Sequence, residues 1–132
     1  MIIKTMKPLL TITAVLEALA GMGLIAAPSF IVKLLVGSPL NGAEAMTLTR
    51  IAGAALVSLA MVCWFSRNNA TALGVVKAML FYNIAGATVF LHGAIGYKLS
   101  GVGLWPAVLL HAGLALWCIV TLVHRKEIVK SI

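Results

Sequence analysis

"PLLTITAVLEALAGMGLIAAPS", residues 8–29, decides the fold. From about Pro8 to Ala27 every residue is apolar, small or a hydroxyl except one, Glu17. At about 1.5 Å of rise per residue, about 20 such residues in a helix cross a hydrocarbon core roughly 30 Å thick. The stretch is therefore read as a membrane span that stops at Pro28-Ser29. Working outward, three more stretches of the same kind follow, from about Met46 to Phe65, Lys77 to Tyr97 and residues 104 to 124. The chain has 132 residues, 62% of them hydrophobic and 10% charged, where a soluble domain carries about 25% charged residues. Residues 1–132 are thus expected to form a single integral membrane domain. The expected fold is all-α: a four-transmembrane-helix up-down-up-down bundle with left-handed crossings.

The connections are short. "SFIVKLLVG", residues 29–37, is an amphipathic piece that either lies in the interface as a short helix or extends the first span beyond a kink at Pro28. "SPLNGAEA", residues 38–45, and "KLSGVG", residues 98–103, are turns by composition. In "SRNNAT", residues 66–71, Asn68 or Asn69 can cap the helix that follows, and Pro106 suits a first helical turn. Each span holds an Ala-Gly pair: Ala20-Gly21, Ala52-Gly53, Ala85-Gly86 and Ala112-Gly113. Small residues let helix backbones approach closely where lipid removes the hydrophobic drive to associate.

The formal charge of +7 comes from basic residues at the ends of apolar stretches. Nucleic-acid binding would need them gathered on one water-facing surface, so anionic lipid headgroups are the expected partners. Lys4, Lys7, Arg67, Lys77, Arg125, Lys126 and Lys130 fall on the side of the termini, against Lys33, Arg50 and Lys98 on the other. By the positive-inside rule both termini are expected in the cytoplasm. Trp105 and Tyr97 at one boundary, with Trp64 and Tyr82 nearer the other, read as aromatic belts. The first segment, with Lys4, Lys7 and the pair Ala26-Ala27, has the outline of a signal peptide but is expected to be kept as a helix. "NAT", residues 69–71, matches a glycosylation sequon, yet on this threading it faces the cytoplasm.

The residues out of place are the polar ones. Glu17 falls near mid-depth, on a helix face shared with Thr13, Ala14, Gly21 and Leu24, a small-residue seam that marks an interior side. An intramembrane carboxyl stays protonated or has a partner. By depth the candidates are Asn83 and His111, within roughly one helical turn of it, while Arg50 completes the intramembrane polar set and can snorkel toward the boundary. Asn83 and His92, nine residues apart, fall on opposite faces of the third span at 100° per residue. His92 is therefore expected to face another protein chain, a lipid or the other helix pair. His124 reads as a solvated or headgroup-facing residue beside Arg125.

Cys63 and Cys118 have neither CxxC nor zinc-type spacing and read as buried free thiols. The chain has no Asp, and Glu44 and Glu127 lie at opposite ends, so paired carboxylates, a nucleophile-base-acid set and a phosphate loop are all missing from the pattern. No enzymatic activity, metal or cofactor is expected, apart from one alternative. Bis-histidine b-type haems lie between membrane helices, and His92 with His111 could ligate one. Folding the hairpin about Ser100 puts residue 92 opposite residue 108, which offsets the two imidazoles.

"LEALAGMGLIAAPSFIVKLLVG" (16–37), "RIAGAALVSLAMVCW" (50–64), "MLFYN" (79–83) and "LWPAVLLHAGLALW" (104–117) together resemble a group of small four-span bacterial membrane proteins with no assigned function. The recurring marks are Glu17, Pro28-Ser29, Arg50, Trp64, Tyr82-Asn83, Trp105-Pro106 and His111. The resemblance implies a bacterial inner membrane and supplies no mechanism. A weaker likeness is to small multidrug resistance transporters, which also have four short spans and a membrane-embedded glutamate in the first. This chain lacks their aromatic setting around that glutamate, and its segment after Pro28 is more apolar and basic, so only Glu17 carries over.

Three functions are expected from these features. The first is a non-enzymatic accessory or scaffold subunit packed on another membrane protein or on itself. The alternative is a proton-coupled carrier of small, cationic compounds centred on Glu17, working as a homodimer because four spans leave little room for a pathway. The further alternative is a haem-binding electron-transfer subunit using His92 and His111.

Overall fold

A computed structural model describes residues 2–130, and the side chains of residues 6–125. Five helices follow one another: α1 (Ile2–Ala26), α2 (Pro28–Val36), α3 (Ala43–Ser66), α4 (Ala72–Gly96) and α5 (Leu104–Lys130), with no strand among the described residues. Four of them contain stretches long and apolar enough to cross a membrane: Met6–Ala26, Ala43–Ser66, Ala72–Gly96 and Leu104–Arg125. Large apolar side chains also cover the outside, among them Leu19, Phe65, Phe81, Val89 and Leu109. A surface of that kind is insoluble in water and matched to lipid, so the architecture is that of a multi-pass helical membrane bundle.

The helices start earlier than composition suggests. α1 runs upstream of Pro8, α3 begins at Ala43 rather than Met46, and α4 begins at Ala72 rather than Lys77. The turn before α4 is organised by Asn69 acting on both sides of it. Its Nδ2 donates to the Phe65 carbonyl at 3.0 Å, and its Oδ1 accepts from the Thr71 backbone N–H at 3.1 Å and from the Thr71 hydroxyl. Arg67 closes that end with its guanidinium 3.4 Å from the centre of the Trp64 ring, a cation–π contact. Of the basic residues counted for topology, Lys4, Lys126 and Lys130 have side chains outside the described residues, as does Glu127.

The segment after Pro28 is a separate helix and not a kinked continuation. Ala27 leaves the helical region (φ −135°, ψ 57°), and Pro28 then opens α2, where its missing N–H costs nothing. Gly37 ends α2 in the left-handed conformation (φ 89°), its N–H bonded to the Lys33 carbonyl at 2.9 Å. The α4–α5 loop straps the last turn of α2 down: Gly103 N–H donates to Leu34 O at 2.8 Å and Ser100 N–H to Val36 O at 3.4 Å. Only glycine fits at Gly101, because a Cβ there would stand 2.3 Å from the Leu35 carbonyl.

The bundle is built from two tight hairpins, α1 with α3 and α4 with α5, and contacts between the hairpins are sparse by comparison. α1 and α3 cross at glycines. A Cβ on Gly21 would lie 2.6 Å from the Gly53 carbonyl oxygen, and one on Gly53 would lie 2.7 Å from that of Gly21. The other two Ala-Gly pairs do different things: Gly86 lies against the His111 ring, and Gly113 has open space around it. Between the hairpins, the end that carries the start of α1 is filled by Met6, Leu9, Leu10, Val76 and Met79, with Cys63 and Cys118 as buried free thiols beside them. The other end, flanked by α2, is not filled.

Candidate functional site: a polar edge on an apolar cavity

That unfilled end holds a cavity of about 630 Å³ to which all five helices contribute. Its walls are narrow because small residues face it: Ala20 on α1, Ala85 and Gly86 on α4, and Gly103 and Ala107 beside and on α5. Ile31, Leu34 and Leu35 of α2 line one side of it, so the strap on α2 also holds that wall in place, and the space stays partly open to the outside. The lining is apolar except for Glu17, Tyr82 and His111.

Those three form its polar edge, and Asn83, outside the lining, backs them through its bond to His111. Glu17 is 5% exposed, and its Oε2 accepts a hydrogen bond from the Tyr82 hydroxyl at 3.2 Å. This is a link between the two hairpins, α1 to α4, across the gap. Asn83 is fully buried one residue further along α4. Its Nδ2 donates to the Met79 carbonyl at 2.8 Å, and its Oδ1 meets His111 Nδ1 of α5 at 2.9 Å. The imidazole is boxed on its other sides. Tyr82 meets it edge-on with ring centres 5.6 Å apart, Phe90 stacks at 5.5 Å, and a Cβ on Gly86 would come within 3.0 Å of Nδ1. Any side chain at position 86 would crowd the ring and require it to shift by a few tenths of an ångström.

Sequence reasoning expected Glu17 to pair with Asn83 or His111. Instead Asn83 and His111 satisfy one another, and the carboxyl is met by Tyr82, which the sequence pattern assigns to an aromatic belt. The reason is the earlier start of α4: in a helix running Ala72–Gly96, Tyr82 falls near the middle and not toward one end. Arg50 stands apart from the set. It is exposed near the start of α3 and makes no hydrogen bond among the described residues, where a long cationic side chain can reach for headgroups. His92 is exposed on the outside of α4, edge-on to Tyr97 with ring centres 4.9 Å apart. His124 is exposed and bonds back to the Val120 carbonyl.

His92 and His111 therefore have different surroundings, one exposed on the outside of α4 and one on the cavity edge. Among the described residues no three His, Cys, Asp or Glu side chains come together as a metal site. One polar atom near the edge is left over: Thr13, one turn before Glu17 and 1% exposed, has its hydroxyl oxygen sealed without a partner. Thr11, Thr47, Thr49 and Thr88 all bond the carbonyl four residues back.

Comparison with protein-family models, with curated proteins and with solved structures found no match to this chain.

Proposed function

We propose that this protein is a non-enzymatic, multi-pass protein of the bacterial inner membrane that binds one small lipophilic molecule between its two hairpins, with Glu17, Tyr82 and His111 holding that molecule's polar end. The observation that carries this reading is an apolar cavity whose polar lining, Glu17, Tyr82 and His111, is gathered at one edge. Ligand pockets combine that same apolar lining with a few convergent polar groups, and their volumes run from about 300 to 1,000 Å³. The carrier reading is modified in one respect: the room for a ligand lies within one chain, so a homodimer is not needed to make it. Transport would follow if α2 or the loosely joined hairpins open the cavity in turn to the two sides, with Glu17 as the protonatable group. The excess of Lys and Arg near the termini supports an orientation with both termini cytoplasmic, against anionic headgroups.

The test is to purify the protein in mild detergent and extract what it retains. Wild type is expected to carry a stoichiometric lipophile, and Ala107→Phe, which fills the cavity from the α5 wall, is expected to lose it while keeping its helical content and monodispersity. Equal retention by both proteins would overturn the reading.

A second reading, an accessory subunit, draws on a shallower feature. The outer face of α1 and α3 has an apolar groove of about 330 Å³ over Ala14, Ala18 and Ala60, flanked by Trp64 and Phe65, which could seat a helix of another membrane protein or of a second copy. Co-purification with a partner that Ala18→Trp releases would favour it. The haem reading has no observation in its favour.

A further inference from the structure

Resting on the binding reading above, we infer that the cavity selects a ligand by a hydrogen-bond donor, a lipophilic phenol or alcohol whose O–H is taken by Nε2 of His111. The chain of reasoning begins at a backbone atom. The Met79 carbonyl can only accept, so the Asn83 atom 2.8 Å from it is the amide nitrogen, and this fixes the amide's orientation. Asn83 Oδ1 is then the atom that meets His111 Nδ1 at 2.9 Å. An amide oxygen can only accept, so Nδ1 carries the proton. In a neutral imidazole with Nδ1 protonated, Nε2 is a lone-pair acceptor. The network thus assigns a tautomer that X-ray data at ordinary resolution would leave open.

That acceptor is free and reachable. His111 lines the cavity, and Nε2 makes no hydrogen bond among the described residues. The side-chain atoms sealed away without partners are Thr13 Oγ1 and Arg125 Nε, not this one. The hydrogen bond to Asn83 commits Nδ1, and Phe90 stacked on the ring and Tyr82 edge-on to it hold the imidazole in that orientation. Glu17 stands on the same edge with Oε2 already engaged by Tyr82. A ligand hydroxyl can donate to Nε2 and still use its own lone pairs, whereas an ether or a ketone has no proton to give and leaves Nε2 unpaired. A buried site that hydrogen-bonds a ligand O–H disfavours the analogue that lacks it, because the acceptor is then left desolvated and unpaired.

The experiment uses the full chain in lipid nanodiscs with two probes, 1-naphthol and 1-methoxynaphthalene, which share a ring system and differ in the O–H. Binding is measured against empty nanodiscs, and the histidine nitrogens are read by ¹⁵N NMR. A His92→Gln/His124→Gln variant, changed only at exposed positions, leaves His111 as the sole histidine. The expected spectrum is that of the Nδ1–H tautomer, with the Nε2 resonance moved by the phenol and not by the ether. The phenol is expected to bind about threefold to tenfold tighter than the ether, the worth of one neutral hydrogen bond, and His111→Phe to abolish that preference. An Nε2–H tautomer overturns the inference without needing any variant of His111. So does equal binding of both probes with Nε2 unmoved, an outcome that leaves the cavity as a binding site and removes only the donor requirement. Binding of neither probe above empty nanodiscs overturns the binding reading and the inference with it.

Discussion

The two ends of the space between the hairpins are made from the same four long helices, with α2 added at one of them, yet one is solid and the other hollow. At the terminal end Met6, Leu9, Leu10, Val76 and Met79 are fully or almost fully buried and fill the gap. At the other end Ala20, Ala85, Gly86 and Ala107 face each other across about 630 Å³. The facing side chains differ in volume, large at the filled end and small at several positions of the hollow one. In a membrane, where apolar residues gain nothing from leaving lipid for the interior, close packing is what holds helices together. A hollow end therefore gives up cohesion, and the structure recovers some of it with the Glu17–Tyr82 bond and the strap on α2.

Five substitutions break or sharpen this contrast. The largest effect belongs to the packed end. Leu9→Ala removes a fully buried side chain from a filled region and is expected to lower stability by about 2–5 kcal/mol. Leu56→Ala, on the cavity wall, only enlarges an existing space and should cost less than half as much. Unfolding both variants in mixed micelles of increasing denaturing-detergent fraction measures the pair, and equal losses would erase the distinction between the ends. Next comes the α1–α3 crossing, which both ends depend on. Gly53→Ala drives a Cβ against the Gly21 carbonyl and should cost about 1–3 kcal/mol. Gly113→Ala meets nothing and should gain up to about 1 kcal/mol from helix propensity alone; the same titration reads both. The smallest effect is at the boundary. Tyr82→Phe removes the link to Glu17 and is expected to cost about 0.6 kcal/mol, typical of hydrogen bonds between membrane helices. Hydrogen exchange of the α2 backbone should rise with it, as the two hairpins hold each other less firmly around the cavity.

Much of this architecture is legible in the residues. Four apolar stretches with polar connections specify the helices, and Pro28 marks where α1 gives way to α2. The seam of Thr13, Ala14, Glu17 and Gly21 places the carboxyl on an interior face, because small residues are useful only where another helix comes close. The polar pairing is less legible. Depth brings Glu17, Asn83 and His111 to one level, but depth has no azimuth, and whether Asn83 turns to His111 or to Glu17 depends on how α4 rotates against two neighbours. Tyr82 shows a second limit: an amphipathic ring suits the headgroup region or a buried acceptor equally well, and a five-residue difference in where α4 starts decides which. Arg50 is the same problem in reverse, interior by its position along the chain and outward by its face. The cavity is the least legible feature, since it arises from what Ala20 on α1 and Ala85, Gly86 and Ala107 on the α4–α5 hairpin fail to fill, positions that only the packing of the two hairpins brings together.

The measurement that tests the central claim most directly is a crystal structure of the wild-type protein under xenon pressure, since xenon enters apolar cavities and leaves packed cores alone. The account predicts xenon, or an ordered lipophile in its place, beside Leu56, Val89 and Ala107 beneath α2, and none among Met6, Leu9, Leu10 and Met79. An end beneath α2 that is closed by its own side chains and takes up no xenon would contradict it.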